Sequence, residues 1–417
     1  MNARTGTLDT VVSRLQPGTT VFVPGVSGES QAFFAALARN PAKADGVRFV
    51  GVHFPQLNHN DYAGLHPAAR LRAYFMQPEL REPFRQGRVE LVPADYLGVL
   101  RDLARLEVDI AIAQVSAPDA SGDMSLGLAY DFLPAVWARA HFRVAHLNPE
   151  LPATRGSFRV AASDCDLICE EDSPLIEYDS GDPSDALLRL GRNAASVIRD
   201  GDTIQLGIGR YQRALLKALD GHRGLRMVSG LVTADVLPLV DRGVIAGDAA
   251  IEAGVALGDR AFYRRLAQDP TFYFRPTSET HDVRRIAAIP DFVAVNAAIE
   301  IDLFGQVNTE SLGAQLVAGV GGMPAFVQGA QLAENGRAVF CITATADKGR
   351  VSRIVPRLAD RFVALPRHAA DILATEFGVA RLEGLSADER AARLIELAAP
   401  QFRAALAGQW QEIRSAL

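Results

Sequence analysis

Cysteine is scarce in this chain. Three residues of 417, Cys165, Cys169 and Cys341, form an odd, sparse set that argues against a disulfide framework. Cys165 and Cys169 stand four apart in SDCDLICEE, with no second pair at zinc-site spacing, so they read as reduced, partly buried thiols. Histidine is also thin. None of the eight pairs with another at metal-ligand spacing on a convincing helix, and HFPQLNH near residue 53 is irregular. Neither an HExxH helix nor a Ser-His-Asp order is present, so a metal centre has little support and no metal is expected. No apolar run reaches the roughly 18 residues of a membrane span. The segment MNARTGTLDTVVSRLQPGTT lacks the apolar core of a signal peptide, which makes the cytoplasm the expected location. Positive charge is not in excess either. With 43 Lys and Arg against 49 Asp and Glu, the net charge of −6 gives no support for a broad nucleic-acid-binding surface. It leaves room for a local basic pocket that holds a phosphorylated small molecule.

What is present is a hydrophobic fraction of 48% and a length suited to two or three domains. TVFV (20–23) is a β-rich run, PGVSGE (24–29) a turn, and QAFFAALARN has helical spacing. The pattern recurs in VRFVGVHF (47–54) and RVELVPADYLGVLRDLARL. VDIAIAQVSAPD (108–119) is almost continuously apolar, as a strand covered on both faces should be. FRVAHLNPELP (142–152) and FRVAASDCDLICEE (158–171) read as further strands. IEYDSGDPS (176–184) is polar with Gly and Pro, and the domain junction is expected there. The second half restarts the theme. Ser184-Asp185 caps a helix in ALLRLGRNAASVIRDG, DTIQLGIG (202–209) is a strand running into glycines, and RYQRALLKALDG is a helix. RMVSGLVT (226–233), RAVFCITAT (337–345) and RFVALPRH (361–368) come next, before a helical C-terminus from about Ala387. Strands alternating with helices predict α/β sheets.

Several segments point to chemistry. Residues 293–330 open as a strand around Asn296, Glu300 and Asp302, break at Gly305, and end in Gly319-Val320-Gly321-Gly322. Carboxylates in an apolar strand need partners, and clustered glycines free backbone N–H groups to approach a ligand. Two carboxylates at a strand end followed by a packing loop would leave the same pattern. Leu206-Gly207-Ile208-Gly209-Arg210 leads from strand to helix, where free N–H groups suit an anion. It lacks the third glycine and the ribose-binding acid of a dinucleotide fingerprint, and a simple tight turn fits it too. Lys348 and Arg350 flank Gly349 and can hold phosphate, or form a solvated basic loop. Glu376 stands between apolar residues in ATEFG, as a site acid or a structural partner.

These motifs occur in a fixed order with DIAIAQVSAPDASGDMSLG (109–127), AVNAAIEIDLFGQVNTESLG (294–313), KGRVSRIVP (348–356) and ATEFGVARLEGLSADERAARLIELAAPQFR (374–403). Together they resemble the acetyl-CoA hydrolase/transferase family, the class I CoA-transferase group that includes acetate, succinate and 4-hydroxybutyrate CoA-transferases. The resemblance runs from about residue 20 to 405. It implies two similar open-sheet α/β domains of the CoA-transferase type, over 1–180 and 181–417, with the site between them, and usually a homodimer. It implies coenzyme A and acyl-CoA as substrates beside a small carboxylate, with no permanently bound cofactor and neither a nucleic-acid nor a membrane partner. By motif, Gly207, Ile208, Gly209 and Arg210 match a CoA-contacting turn. Gly321 and Gly322 match the second glycine loop, Lys348 a basic position near CoA, and Glu376 an acid close to the site. Asn296 and Glu300 sit in a family motif but receive no catalytic role from it.

The family mechanism is a ping-pong exchange through a glutamyl thioester. Its glutamate lies on the strand after the GxG turn, in a Ser-Glu-apolar pattern. Here that strand reads RMVSGLV, the glutamate position falls on Gly230, and no acid lies between Arg226 and Ala234. Three readings are open. An altered transferase or hydrolase can place water or a substrate carboxylate at Gly230, with Glu376, or less readily Glu300, as base or relocated nucleophile. The alternatives are a non-catalytic CoA-ester-binding homologue and a subunit completed by a partner's glutamate.

Overall fold

The structure, a computed structural model, describes residues 4–417. Two eight-stranded sheets organise it. The first contains β1 (Arg4–Gly6), β2 (Thr20–Phe22), β3 (Arg48–Val50), β4 (Arg70–Ala73), β5 (Val89–Leu91), β6 (Ile110–Val115), β7 (Phe142–Leu147) and β8 (Leu167–Glu170). Their order is β1-β8-β7-β6-β2-β3-β4-β5, parallel throughout. The second contains β9 (Thr203–Leu206), β10 (Arg226–Thr233), β11 (Ile251–Leu257), β12 (Phe272–Phe274), β13 (Phe292–Ala297), β14 (Arg337–Cys341), β15 (Ile372–Thr375) and β16 (Gly378–Arg381). Its order is β12-β11-β10-β9-β13-β14-β15-β16, and only the β15–β16 hairpin is antiparallel. Parallel strands need crossovers that cover both sheet faces. Every residue of β6 and of β9 is accordingly buried, and the α/β class expected from the sequence holds.

The helices include α1 (Gln31–Arg39), α2 (Tyr96–Leu103), α3 (Asp185–Ala195), α4 (Arg210–Ala218), α5 (Thr277–Thr280), α6 (Met323–Leu332), α7 (Ala387–Leu397) and α8 (Pro400–Ser415). Local chemistry sets their starts. Ser184 Oγ accepts the Leu187 N–H at the head of α3. Ser386 and Glu389 form a capping box, so α7 begins at Ala387.

Three stretches differ from the sequence-based expectation. FRVAASDCDLICEE is not one strand. Arg159–Ala161 pairs antiparallel with Asp123–Ser125, a 3-10 turn at Ala162–Asp164 follows, and only then does β8 join the main sheet. RFVALPRH contributes a single bridge, Leu365 to Val307, because Phe362 and Val363 find no neighbouring strand and stay exposed. The sheet edge is instead the β15–β16 hairpin, with Glu376 and Phe377 at its turn. Finally, β13 ends at Ala297. Glu300–Asp302 belongs to a separate three-stranded ribbon with Val307–Asn308 and Ile354–Val355. All three cysteines are free and buried, and burial pushes each thiol up to about 12.

Candidate active site

The carboxyl ends of parallel strands are where open α/β sheets place ligands. At the ends of β9 and β13 a cavity of about 420 Å³ opens between the two halves of the chain. The first half supplies an aromatic wall of Phe54, Phe75 and Tyr96, together with Gln56. Gln56 holds a left-handed φ of 70°, a backbone state that costs a non-glycine residue about 1–3 kcal/mol. The second half supplies the two glycine segments, Gly230, His281 and Asn296. Asn296 donates from Nδ2 to Gln205 Oε1 at 3.0 Å, tying β13 to β9 below the cavity.

Each glycine segment exists because a side chain would not fit. A Cβ at Gly207 would stand 2.3 Å from the Tyr211 hydroxyl. Gly209 adopts φ 111°, closed to residues with a Cβ, and turns the chain into α4. The Gly319–Gly322 segment leads into α6. It is clamped from the first half by Tyr96 N–H donating to Gly321 O (3.1 Å) and Met76 N–H donating to Ala318 O (3.3 Å). Among the described residues, the N–H groups of Ile208, Gly321 and Gly322 have no hydrogen-bond partner. Free amides at helix N-termini are suited to a carbonyl oxygen that gains negative charge.

Gly230 lies on β10, facing His281. A Cβ built at Gly230 would come within 2.9 Å of His281 Cε1 and 3.0 Å of Nε2. One built at Gly322 would come within 2.1 Å of the same Nε2. The imidazole therefore fills a slot left open by two glycines. It packs at centroid distances of 4.7 Å on Tyr96 and 4.6 Å on Phe326. His281 Nδ1 lies 2.9 Å from Thr280 Oγ1. Burial pulls the ring down to about 3, opposed by a hydrogen bond to the Thr277 carbonyl. Histidine spacing carries no sign of this group. It meets Gly230 only through the fold, and the one signal available was that a carboxylate was missing there.

The structure brings Gly207, Ile208, Gly209, Gly230, Gly321 and Gly322 to one cavity. It does not bring Arg210, Lys348 or Glu376 into the lining. Arg210 and Lys348 are exposed, Lys348 in a left-handed turn with φ 53°. Glu376 is half-buried, and its Oε2 accepts the Ala344 N–H at 2.8 Å. Glu300 accepts from Asn308 Nδ2 (3.1 Å) and Arg361 Nε (2.9 Å). Asp302, fully buried, accepts from Phe304 N–H, Gln306 N–H, Gln306 Nε2 and Leu358 N–H. Among the described residues, no carboxylate lines the cavity.

Comparison with known proteins decides the family. Residues 6–177 match the acetyl-CoA hydrolase/transferase N-terminal domain and residues 258–410 the C-terminal domain. The 4-hydroxybutyrate coenzyme A transferase of Clostridium kluyveri is 31% identical over 97% of this chain and 97% of its own length. The chain belongs to the acetyl-CoA hydrolase/transferase family. It is accordingly an enzyme of the CoA-transferase and acyl-CoA hydrolase type. Among solved structures, RipA from Yersinia pestis superposes with a TM-score of 0.91 at 27% identity, covering 99% of this chain and 98% of that one. A 4-hydroxybutyrate CoA-transferase from Porphyromonas gingivalis gives 0.81 at 28% identity, with coverage of 99% and 98%. The segment that holds Gly207–Arg210 and Gly230 falls between the two matched domains of the family.

Proposed function

We propose that this protein cleaves the thioester of a short-chain acyl-CoA in the cavity between its halves, as a CoA-transferase or acyl-CoA hydrolase that forms no glutamyl thioester. One observation carries the proposal: Ile208, Gly321 and Gly322, whose amides are unpaired, line a cavity with no carboxylate among its described residues, and Gly230 stands at the nucleophile's expected position. The thioester carbonyl would sit against those amides, which lower the barrier as the oxygen becomes anionic. A cavity of about 420 Å³ suits a short acyl group at the end of the pantetheine arm. Arg210 and Lys348, exposed and cationic, suit the phosphates of the nucleotide end, as the family resemblance implies. Glu376, which accepts the Ala344 N–H, is left as an anchor of that loop. Cytoplasmic homodimers are the working form in this reading. The names of the relatives support the choice between transfer to a small carboxylate and hydrolysis, and leave both within it.

The test is to incubate the protein with acetyl-CoA and butyryl-CoA, with and without acetate or succinate, while following free CoA and exchanged acyl-CoA. Release of CoA or exchange onto the added acid is expected. Absence of both turnover and acyl-CoA binding would remove the proposal.

A further inference from the structure

A carboxylate in this slot would attack a thioester directly, whereas an imidazole does something chemically different. We infer that His281 is the catalytic base of a thioester hydrolysis, so that water, and not a second carboxylate, accepts the acyl group. The inference rests on the acyl-CoA reading of the cavity and narrows it.

The tautomer is assigned from the hydrogen bonds. The Thr280 hydroxyl has one proton, which we assign to the Pro276 carbonyl at 3.3 Å. Toward His281 Nδ1, 2.9 Å away, Thr280 Oγ1 is therefore the acceptor, and Nδ1 carries the ring proton. Nε2 is left with its lone pair, between Gly230 and Gly322 at the cavity wall. The other titratable groups in the lining, Tyr96 and Tyr178, are both held above the usual phenol range, chiefly by burial, and cannot serve as bases near neutrality. His281 is thus the one group among the described lining residues that can accept a proton. Burial keeps it neutral.

The acceptor is set by proton balance. An attacking carboxylate carries no proton to remove, so a base beside it does nothing for the transfer. Water does carry one. Water oxygen adds to the thioester carbonyl carbon while one water proton moves to His281 Nε2. The carbonyl oxygen becomes an oxyanion facing the free amides, and its charge stabilises the imidazolium that burial alone disfavours. Collapse breaks the C–S bond. The CoA sulfur leaves with the proton from Nε2, and a carboxylic acid remains, which ionises in solvent. Two glycines are required because a side chain at either position would expel the ring.

The experiment uses acetyl-CoA with the wild-type chain, His281→Ala and His281→Gln. Wild-type CoA release should be independent of added acetate or succinate. General-base removal should lower kcat by about 10²–10⁴-fold in both variants, while acetyl-CoA binding, measured by calorimetry, and thermal unfolding confirm a formed site. Free imidazole should restore part of the rate to His281→Ala, whose slot is empty, and not to His281→Gln, whose slot is filled. Retention of the wild-type rate in either variant overturns the assignment, as does a loss that imidazole fails to restore in His281→Ala. Wild-type exchange onto acetate or succinate in place of hydrolysis also overturns it while leaving the acyl-CoA proposal standing. Absence of both binding and turnover removes the two together.

Discussion

The second half of the molecule holds two groups of ionisable side chains that face opposite fates. In the ribbon beyond β13, N–H donors occupy both oxygens of Asp302, and Asn308 and Arg361 hold Glu300 by its Oε2. His281, after α5, has one nitrogen tied to Thr280 and the other facing the cavity. Chemical capacity depends on what a group has left to bond with. By that measure the acid-rich ribbon is architecture, holding the segment before the Gly319–Gly322 loop, and the lone imidazole is the reactive centre.

The largest effect should come from rebuilding the missing acid. Gly230→Glu forces a side chain against the His281 ring and should destabilise the fold by about 1–3 kcal/mol as overpacking, with loss of activity. Adding His281→Ala removes the obstruction, so the melting temperature should recover in the double variant. Unaltered stability in Gly230→Glu alone would mean that the ring does not occupy the slot. Next in size is the acid ribbon. Asp302→Ala leaves buried donors unpaired and should cost about 1–3 kcal/mol in urea unfolding, with kcat per folded molecule unchanged. A fall in kcat at full stability would move Asp302 from architecture into the chemistry.

The smallest net effect is a balance of protons, because two large contributions oppose each other. His281 is lowered to about 3 by burial, so the unfolded chain binds a proton that the native one refuses as pH falls below the histidine's ordinary 6.5. Its contribution to stability is therefore lost on acidification between 6.5 and about 3. Asp131 runs the other way. Burial raises it to about 7 from 3.8, against a hydrogen bond from Thr277, so stability is lost as pH rises through that window. The two slopes oppose each other below 6.5. Asp131→Asn removes one of them, and its melting temperature should rise more steeply with pH there than the wild type's. Activity should stay level between about pH 5 and pH 8, where an ordinary histidine would titrate. A loss of kcat/KM centred near 6.5 would contradict a buried neutral ring.

Much of this was legible in the residues. Apolar runs such as IAIAQV announce strands covered on both faces, Ser184 and Ser386 announce helix starts, and ordered motifs announce the family and its two α/β domains. The glycine segments were visible because glycine marks where backbone must approach something. What could not be read depends on three-dimensional partners. Nothing in SDCDLICEE says that the chain turns at Ala162–Asp164, and nothing in RFVALPRH says that no strand waits beside it. Glu376 stands out because its neighbours are apolar, yet its bond to Ala344 is set by the β15–β16 turn. In sequence His281 is one unpaired histidine among eight, since only the fold places it against Gly230 and Gly322.

The most direct test is the intact mass of the wild-type protein after turnover of acetyl-CoA in the presence of borohydride, with free CoA measured in the same tube. Steady CoA release with an unchanged protein mass is the expected result. A protein glutamate reduced to its alcohol would show that a glutamyl thioester forms after all, and that the site works by the covalent route in spite of Gly230.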